Sequence, residues 1–429
     1  MSSRELTYGE YINIPGVRAL LRMPPKPEQV PESAWPVTPE GWQPGDAWPH
    51  HERWVHDESL FISTHQAFEV WFRQLLIEID DVLRRAAARA VAHGHTIPRV
   101  ALAARDPERA PRLALRLNSF PKLRALVSEL SPRWQETLLE TPAPASLGAA
   151  VSRPSLAWFA DEWETWTERL DRVTRIMEVT TPFYGVLATM TPAAFLEFRD
   201  RLVPASGFGS GQFREIELTL GQRERHLHRL QWLGDAELEA AYAELLPAPE
   251  HAELRRRTQA HESFVRHTPD DAGLIRRRFL APNLRDTVYW LLGARELTGD
   301  DGALLHHQAD TIAEQAYREL ARYESRPTLE HVAEPARALG HPETSMAVHL
   351  LRSGRRTPEV RFLDACLRAD EAVLAWRDAH IRFVERMIGT KPGTGGGGLP
   401  YLRTTVDRSP ARDHLLRSFP ALWAARSFL

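Results

Sequence analysis

The chain has 429 residues, 43% of them hydrophobic and 26% charged, with a formal net charge of −3. That is enough for a large core in one big domain or two ordinary ones, and the near-neutral balance implies no polyanionic partner such as nucleic acid. The only cysteine, Cys366, excludes an intramolecular disulfide, an iron–sulfur cluster, a cysteine-rich zinc site and thioether attachment of a porphyrin.

Residues 4–22 read as a short amphipathic opening helix whose large apolar residues are Leu6, Tyr8, Tyr11, Ile12 and Ile14. A stretch rich in proline and tryptophan follows at 24–49. Proline lacks the backbone donor and restricts its neighbour, so this stretch reads as an extended loop, pinned by Trp35, Trp42 and Trp48. From His56 to about Arg89 the apolar residues Phe61, Phe68, Phe72, Leu75 and Ile79 share one helical stripe with His65. Residues 97–156 are interrupted by many prolines, and the region 85–155 reads as an inserted lobe of short helices.

Helix resumes from Ser155 to about Val179, with Leu156, Trp163, Trp166, Leu170 and Val173 as core candidates. Thr181-Pro182 breaks it. Thr191 as N-cap and Pro192 at the first helical position open another helix. Further helices are expected at 212–231, 235–245, 250–265, 270–298 and 303–324, then a polar connector at 325–345 and a long final helix at 358–388. Arginine runs such as Arg255–Arg257 and Arg276–Arg278 read as solvated faces or linker turns. With no alternating apolar pattern and no internal repeat, the class is all-α, a helical bundle with appended lobes. No apolar run approaches the roughly 20 residues of a membrane helix. No basic segment leads into an apolar one, so no signal peptide is expected, and a reducing cytoplasm is the expected location.

Four features bear on chemistry. His65 lies between Phe61 and Phe68 on its helix face, and His380 is followed on its face by Phe383, Val384, Met387 and Ile388. Each is either a satisfied core histidine or a neutral imidazole placed to act; such an imidazole is a good axial ligand for haem iron. Arg199 closes the helix Phe195-Leu-Glu-Phe-Arg199, ahead of the turn Pro204-Ala-Ser-Gly-Phe208. Its planar fork suits a carboxylate, the alternative being a structural ion pair with Glu197 or Asp200, which share its helix face poorly. Gly393-Thr-Gly-Gly-Gly-Gly398 is either a flexible loop or one whose N–H groups and Thr394 hydroxyl close over a small polar ligand. It is not a Walker loop, since Lys391 precedes the glycines.

Taken together, four ordered blocks resemble the tryptophan 2,3-dioxygenase family. They are Leu6-Thr-Tyr-Gly-Glu-Tyr11; His56-Asp-Glu-x-Leu-Phe-Ile-x-x-His65-Gln; Phe195-x-x-Phe-Arg-x-x-Leu-x-Pro-x-Ser-Gly-Phe208 leading to Gln212-Phe213-Arg214; and His380 to Gly389 followed by Gly393-Thr-Gly-Gly396 and Tyr401-Leu-Arg403. They cover about a quarter of the chain.

The resemblance implies an all-α haem b enzyme, a homotetramer or homodimer, that inserts dioxygen across the indole C2–C3 bond of L-tryptophan to give N-formylkynurenine. It would make His380 the proximal haem ligand and His65 the distal histidine bonded to the indole N–H. Arg199 would hold the substrate carboxylate, with Thr394 helping to fix the carboxylate and ammonium. Ser206 and Gly207 would line the haem edge, and Phe61 and Phe195 would pack the indole. Tyr8, Tyr11 and Ile12 would reach a neighbouring subunit's pocket. The division implied is a subunit-swapping segment at 1–23, a Pro/Trp-rich loop at 24–55 and a haem-binding catalytic domain at 56–429. The long 24–49 and 85–155 segments depart from a typical member. They leave open a substituted tryptophan as substrate, a monooxygenase that stops after one oxygen atom, and a haem-binding sensor without activity.

Overall fold

A computed structural model describes residues 56–97, 154–199, 210–223, 277–293, 356–393 and 417–426, together with residues 347, 348, 350, 351, 399, 402, 403 and 406. Among these residues the chain is helical and contains no strand. The expected opening helix, the Pro/Trp-rich loop, residues 98–153 of the lobe expected at 85–155 and the helices expected at 235–245, 250–265 and 303–324 lie outside the described residues; residues 85–92 of that lobe instead continue the helix that begins at His56.

Two long helices form the frame. Helix α1, His56–Ala92, begins with Asp57 and Glu58 and ends near Arg89. This charge order complements the helix dipole. Its buried residues Phe68, Phe72, Leu75, Ile79, Val82, Ala86 and Ala90 recur every three or four positions. Helix α7, Pro358–Ile388, opens with Thr357 as N-cap, its hydroxyl accepting from the Val360 N–H, and with Pro358 at the start. The sequence-based boundaries 358–388 match it.

Helix α2, Trp163–Thr180, lies against both long helices. Its apolar stripe includes Trp166, Leu170 and Val173, all fully buried. Full burial of a leucine or phenylalanine side chain contributes about 1.5–3 kcal/mol. The polar edge of the α1–α2 contact carries ion pairs: Arg172 with Glu78 at 3.0 Å, Arg169 with Asp81 at 3.0 Å, and Arg85 and Arg89 with Glu162 at 3.3 Å. The helix expected over 155–179 is divided. A 3₁₀ turn at Leu156–Phe159 precedes α2, with a turn at 160–162 between them.

The short helices carry the site. Helix α3, Phe183–Leu187, follows the Thr181-Pro182 break. Helix α4, Pro192–Arg199, starts as the sequence indicates, with the Thr191 hydroxyl accepting from the Ala194 N–H at 3.1 Å. Helix α5, Gly211–Leu220, is capped by the Ser210 hydroxyl and stopped by Gly221 in the left-handed region, φ 117°. It therefore ends well short of the expected residue 231. A side chain at Gly221 would place its Cβ 2.4 Å from Arg285 Cβ, so glycine permits both the turn and the close approach.

The long helix expected over 270–298 is also broken. Helix α6, Leu284–Gly293, starts after Pro282. Asn283 accepts the Asp286 N–H at 2.8 Å and Asp286 accepts the Asn283 N–H at 3.3 Å, a reciprocal cap. Helix α8, Pro420–Arg426, is held to α7 by buried Asp370, which accepts from the Ser418 N–H and the Trp423 indole, each at 2.8 Å. One hydrophobic core runs through all of these elements.

Candidate active site

His65 and His380, 315 positions apart in sequence, project from α1 and α7 toward one aromatic region. The rings run in sequence through space. Phe195 and Phe198 on α4 lie 5.8 and 5.6 Å from Phe61 on α1. Phe61 lies 4.0 Å from His65, and His65 lies 6.1 Å from Phe68. Phe68 meets Trp376 edge-on at 5.6 Å, and Trp376 lies 5.7 Å from His380. Tyr184 on α3 stacks on the imidazole of His380 at 5.2 Å, with an interplanar angle of 12°.

The His65 ring has a defined tautomer. Its Nδ1 lies 2.7 Å from the carbonyl oxygen of Phe61. A carbonyl can only accept, so Nδ1 carries the proton and Nε2 is left as an acceptor. Burial lowers the His65 pKa below the ordinary histidine value. The bond to Phe61 and the charge of Glu69 oppose that shift without reversing it. The Glu69 carboxylate is itself held by the Gln212 side-chain amide, at 2.7 Å. His65 is therefore a neutral imidazole near pH 7 with one lone pair to offer.

His380 is driven further. Burial is the main cause, with the charges of His65 and Arg214 adding to it, and its pKa falls to about 3. A ring so resistant to protonation stays neutral, the state that metal ligation requires. Among the described residues, no three His, Cys, Asp or Glu side chains gather into a site for a bare metal ion. A single neutral imidazole backed by stacked aromatic rings suits an axial porphyrin ligand, which needs one protein donor and an apolar surround. In that respect His380, Tyr184 and Trp376 fit a haem.

Arg199 ends α4 beside Phe195 and Phe198 and is half-buried. It donates a hydrogen bond to the carbonyl oxygen of Pro392, just before the glycine run. This bond is a long-range tie. It joins α4 to the segment leaving α7, where Gly389 turns the chain with φ 56°. A guanidinium carries five donors in one plane, so a bond to a backbone oxygen is compatible with carboxylate recognition.

The structure thus brings together Phe61, His65, Phe195, Arg199 and His380. Tyr8, Tyr11, Ile12, Ser206, Gly207 and Thr394 lie outside the described residues. Sequence reading missed Tyr184, Phe198 and Trp376 as parts of the site. Tyr184 gave no periodic signal, because it sits in a five-residue helix. Trp376 had one, since it precedes His380 by a helical turn.

The family model described as tryptophan 2,3-dioxygenase matches residues 161–429, more than half of the chain. The tryptophan 2,3-dioxygenase of Caulobacter vibrioides is 29% identical over 263 residues, covering 61% of this chain and 74% of that protein. That of Nocardioides sp. is 27% identical over 376 residues, covering 87% of this chain and 86% of its own. The mouse enzyme, from Mus musculus, is 27% identical over 375 residues, covering 82% and 71% respectively.

Proposed function

The chain belongs to the tryptophan 2,3-dioxygenase family and is thereby a haem-dependent dioxygenase, and from that premise we propose that it converts L-tryptophan, or a ring-substituted tryptophan, to N-formylkynurenine on haem b. The observation that carries this reading is the fixed tautomer of His65, set by the 2.7 Å bond to Phe61. It leaves a lone pair aimed from an aromatic wall, suited to an indole N–H.

His380 would hold the haem, whose ferrous iron supplies the dioxygen activation that a closed-shell indole lacks. His65 accepts the indole N–H through Nε2 and so sets the rotation of the ring. Phe61 and Phe195 flank the indole and exclude water from it. Arg199 pairs with the α-carboxylate, and Thr394 takes the role that the family resemblance gives it, helping to fix the carboxylate and ammonium. Two fixed points on a rigid substrate hold C2 and C3 in one place. Positioning of this kind contributes on the order of 7–11 kcal/mol.

Tyr8, Tyr11, Ile12, Ser206 and Gly207 take the roles that the family resemblance gives them: completion of a neighbouring pocket by the first three and the haem edge by the other two. Assembly as a homotetramer or homodimer in the cytoplasm belongs to the same proposal. No helix among the described residues is long and apolar enough to cross a membrane.

Adding haem to the purified protein tests the reading. A Soret band in the wild type that His380→Ala cannot form is expected, together with a spectral shift of the holoprotein on adding L-tryptophan. A full haem load in His380→Ala contradicts the ligand assignment. A holoprotein indifferent to any indole amino acid contradicts the substrate assignment.

A further inference from the structure

Phe198 touches both of the rings proposed to flank the indole, and it offers no surface of its own. Phe195 and Phe198 are three positions apart and so share one face of α4. Their centroids lie 5.3 Å apart with the planes at 83°, edge to face. Phe61 on α1 lies 5.8 Å from Phe195 and 5.6 Å from Phe198. Distances so nearly equal make a triangle of rings, each in contact with the other two, that joins two helices far apart in sequence.

Burial separates the three roles. Phe198 is 0% exposed, Phe195 is 8% exposed, and Phe61 is only partly buried. Phe61 and Phe195 keep some surface for a ligand. Phe198 can act on a ligand only through them.

Phe61 has two further ties. Its ring lies 4.0 Å from the imidazole of His65, and its carbonyl oxygen accepts from the His65 Nδ1 at 2.7 Å. Phe61 is thus placed by His65 within α1 and by Phe198 from α4. Protein interiors are packed to crystal-like density, so one ring of such a triangle cannot move unless its neighbours give way. A tryptophan held at its N–H by His65 and at its carboxylate by Arg199 is left with its benzo edge to meet the aromatic wall. The substituent that edge can carry depends on how far Phe61 and Phe195 can retreat, and Phe198 fills space into which they would move.

We propose that Phe198 is a positioning residue that sets substrate range: by backing Phe61 and Phe195 it disfavours tryptophans substituted on the benzo ring, and a smaller side chain in its place admits them. The inference rests on the tryptophan reading above and narrows its substrate class. The reaction chemistry is untouched by it.

The test is equilibrium binding of L-tryptophan and its 5-, 6- and 7-methyl derivatives to the full-length ferric holoprotein, read as a spectral shift, with kcat/KM measured alongside. The quantity compared is the Kd of each methyl compound divided by that of tryptophan. All four ligands carry the same N–H and the same carboxylate, so any disturbance of His65 or Arg199 cancels in this ratio. One methyl group in an apolar pocket changes discrimination by roughly 10–200-fold. The wild type is therefore expected to bind at least one methyl compound about tenfold more weakly than tryptophan. For that compound, Phe198→Leu is expected to relieve the penalty about threefold and Phe198→Val about tenfold. A merely structural role weakens all four ligands alike and leaves the ratios where they were. A penalty unchanged in Phe198→Val overturns the inference, as does a wild type that binds all three methyl compounds as tightly as tryptophan. If Phe198→Val yields no holoprotein, Phe198→Leu decides alone: relief of the penalty supports the inference, and none overturns it. A wild type whose spectrum responds to none of the four ligands overturns the function reading itself. One that responds to tryptophan, with penalties indifferent to these substitutions, overturns this inference only.

Discussion

The phenol ring of Tyr184 lies almost parallel to the imidazole of His380, 12° apart in plane and 5.2 Å between centroids. Burial keeps the phenol neutral, its pKa well above the ordinary tyrosine value. The stack restricts rotation of the imidazole about its side-chain bonds, and a stacked aromatic pair contributes about 0.5–1.5 kcal/mol beyond its buried area. Tyr184→Leu is expected to release haem about fivefold faster to an acceptor protein, with Tyr184→Phe close to the wild type. Equal release rates in all three proteins contradict the role.

His65 is held by Phe61 so that its open nitrogen accepts. His65→Ala is expected to retain haem but lose roughly 1–2 kcal/mol of transition-state binding, a five- to thirtyfold drop in kcat/KM. Its pH behaviour follows from the sign of its pKa shift. Burial lowers the pKa, so the ring stays neutral below the usual histidine value of 6.5 and activity should persist there. Activity is lost only as pH falls through the folded-state pKa, when Nε2 gains a proton. A pH–rate profile of His65→Ala without that acid limb is the expected result; an unchanged limb contradicts the assignment.

Arg199→Leu is expected to raise KM for L-tryptophan by about 2 kcal/mol, roughly thirtyfold, through loss of a partly buried charge pair. The same change should affect tryptamine, which lacks the carboxylate, far less. An equal loss for both compounds points instead to the Pro392 contact, with Arg199 anchoring the segment ahead of the glycine run.

Both histidines also couple stability to pH in the haem-free protein. Above pH 6.5 each is neutral in folded and unfolded chains, and its contribution is complete. Below 6.5 the unfolded chain takes up protons that the folded chain refuses. Stability then falls by up to about 1.4 kcal/mol per pH unit for each group. For His380 the loss continues toward its folded-state pKa of about 3. Urea titrations at pH 7.5 and 5 should show a loss about 2 kcal/mol smaller in His380→Leu than in the wild type. Identical losses contradict the burial of a neutral ring.

Gly221→Ala combines a left-handed backbone with a Cβ only 2.4 Å from Arg285 Cβ. A cost of about 2 kcal/mol or more is expected, read as a lowered urea midpoint. An unchanged midpoint contradicts the close approach of α5 and α6.

The frame was legible in the sequence wherever one periodic stripe ran uninterrupted. Phe68 to Ile79 marked α1, and the stripe from His380 through Phe383 to Ile388 marked the end of α7. Boundaries failed where a single residue changed the backbone. Gly221 stopped α5, and Pro282-Asn283 divided the helix expected over 270–298. The two histidines stood out because polar rings on apolar stripes are conspicuous. Tyr184 and the Arg377–Glu217 pair did not, because their meaning lies in contacts between distant segments. Buried ion pairs look like surface charges until the fold closes over them.

The most direct measurement is a single turnover of the ferrous holoprotein with L-tryptophan under ¹⁸O₂, followed by mass analysis of the product. Two labelled oxygen atoms in N-formylkynurenine are expected. A product carrying one label, or unaltered tryptophan after oxygen is consumed, contradicts ring opening by this site.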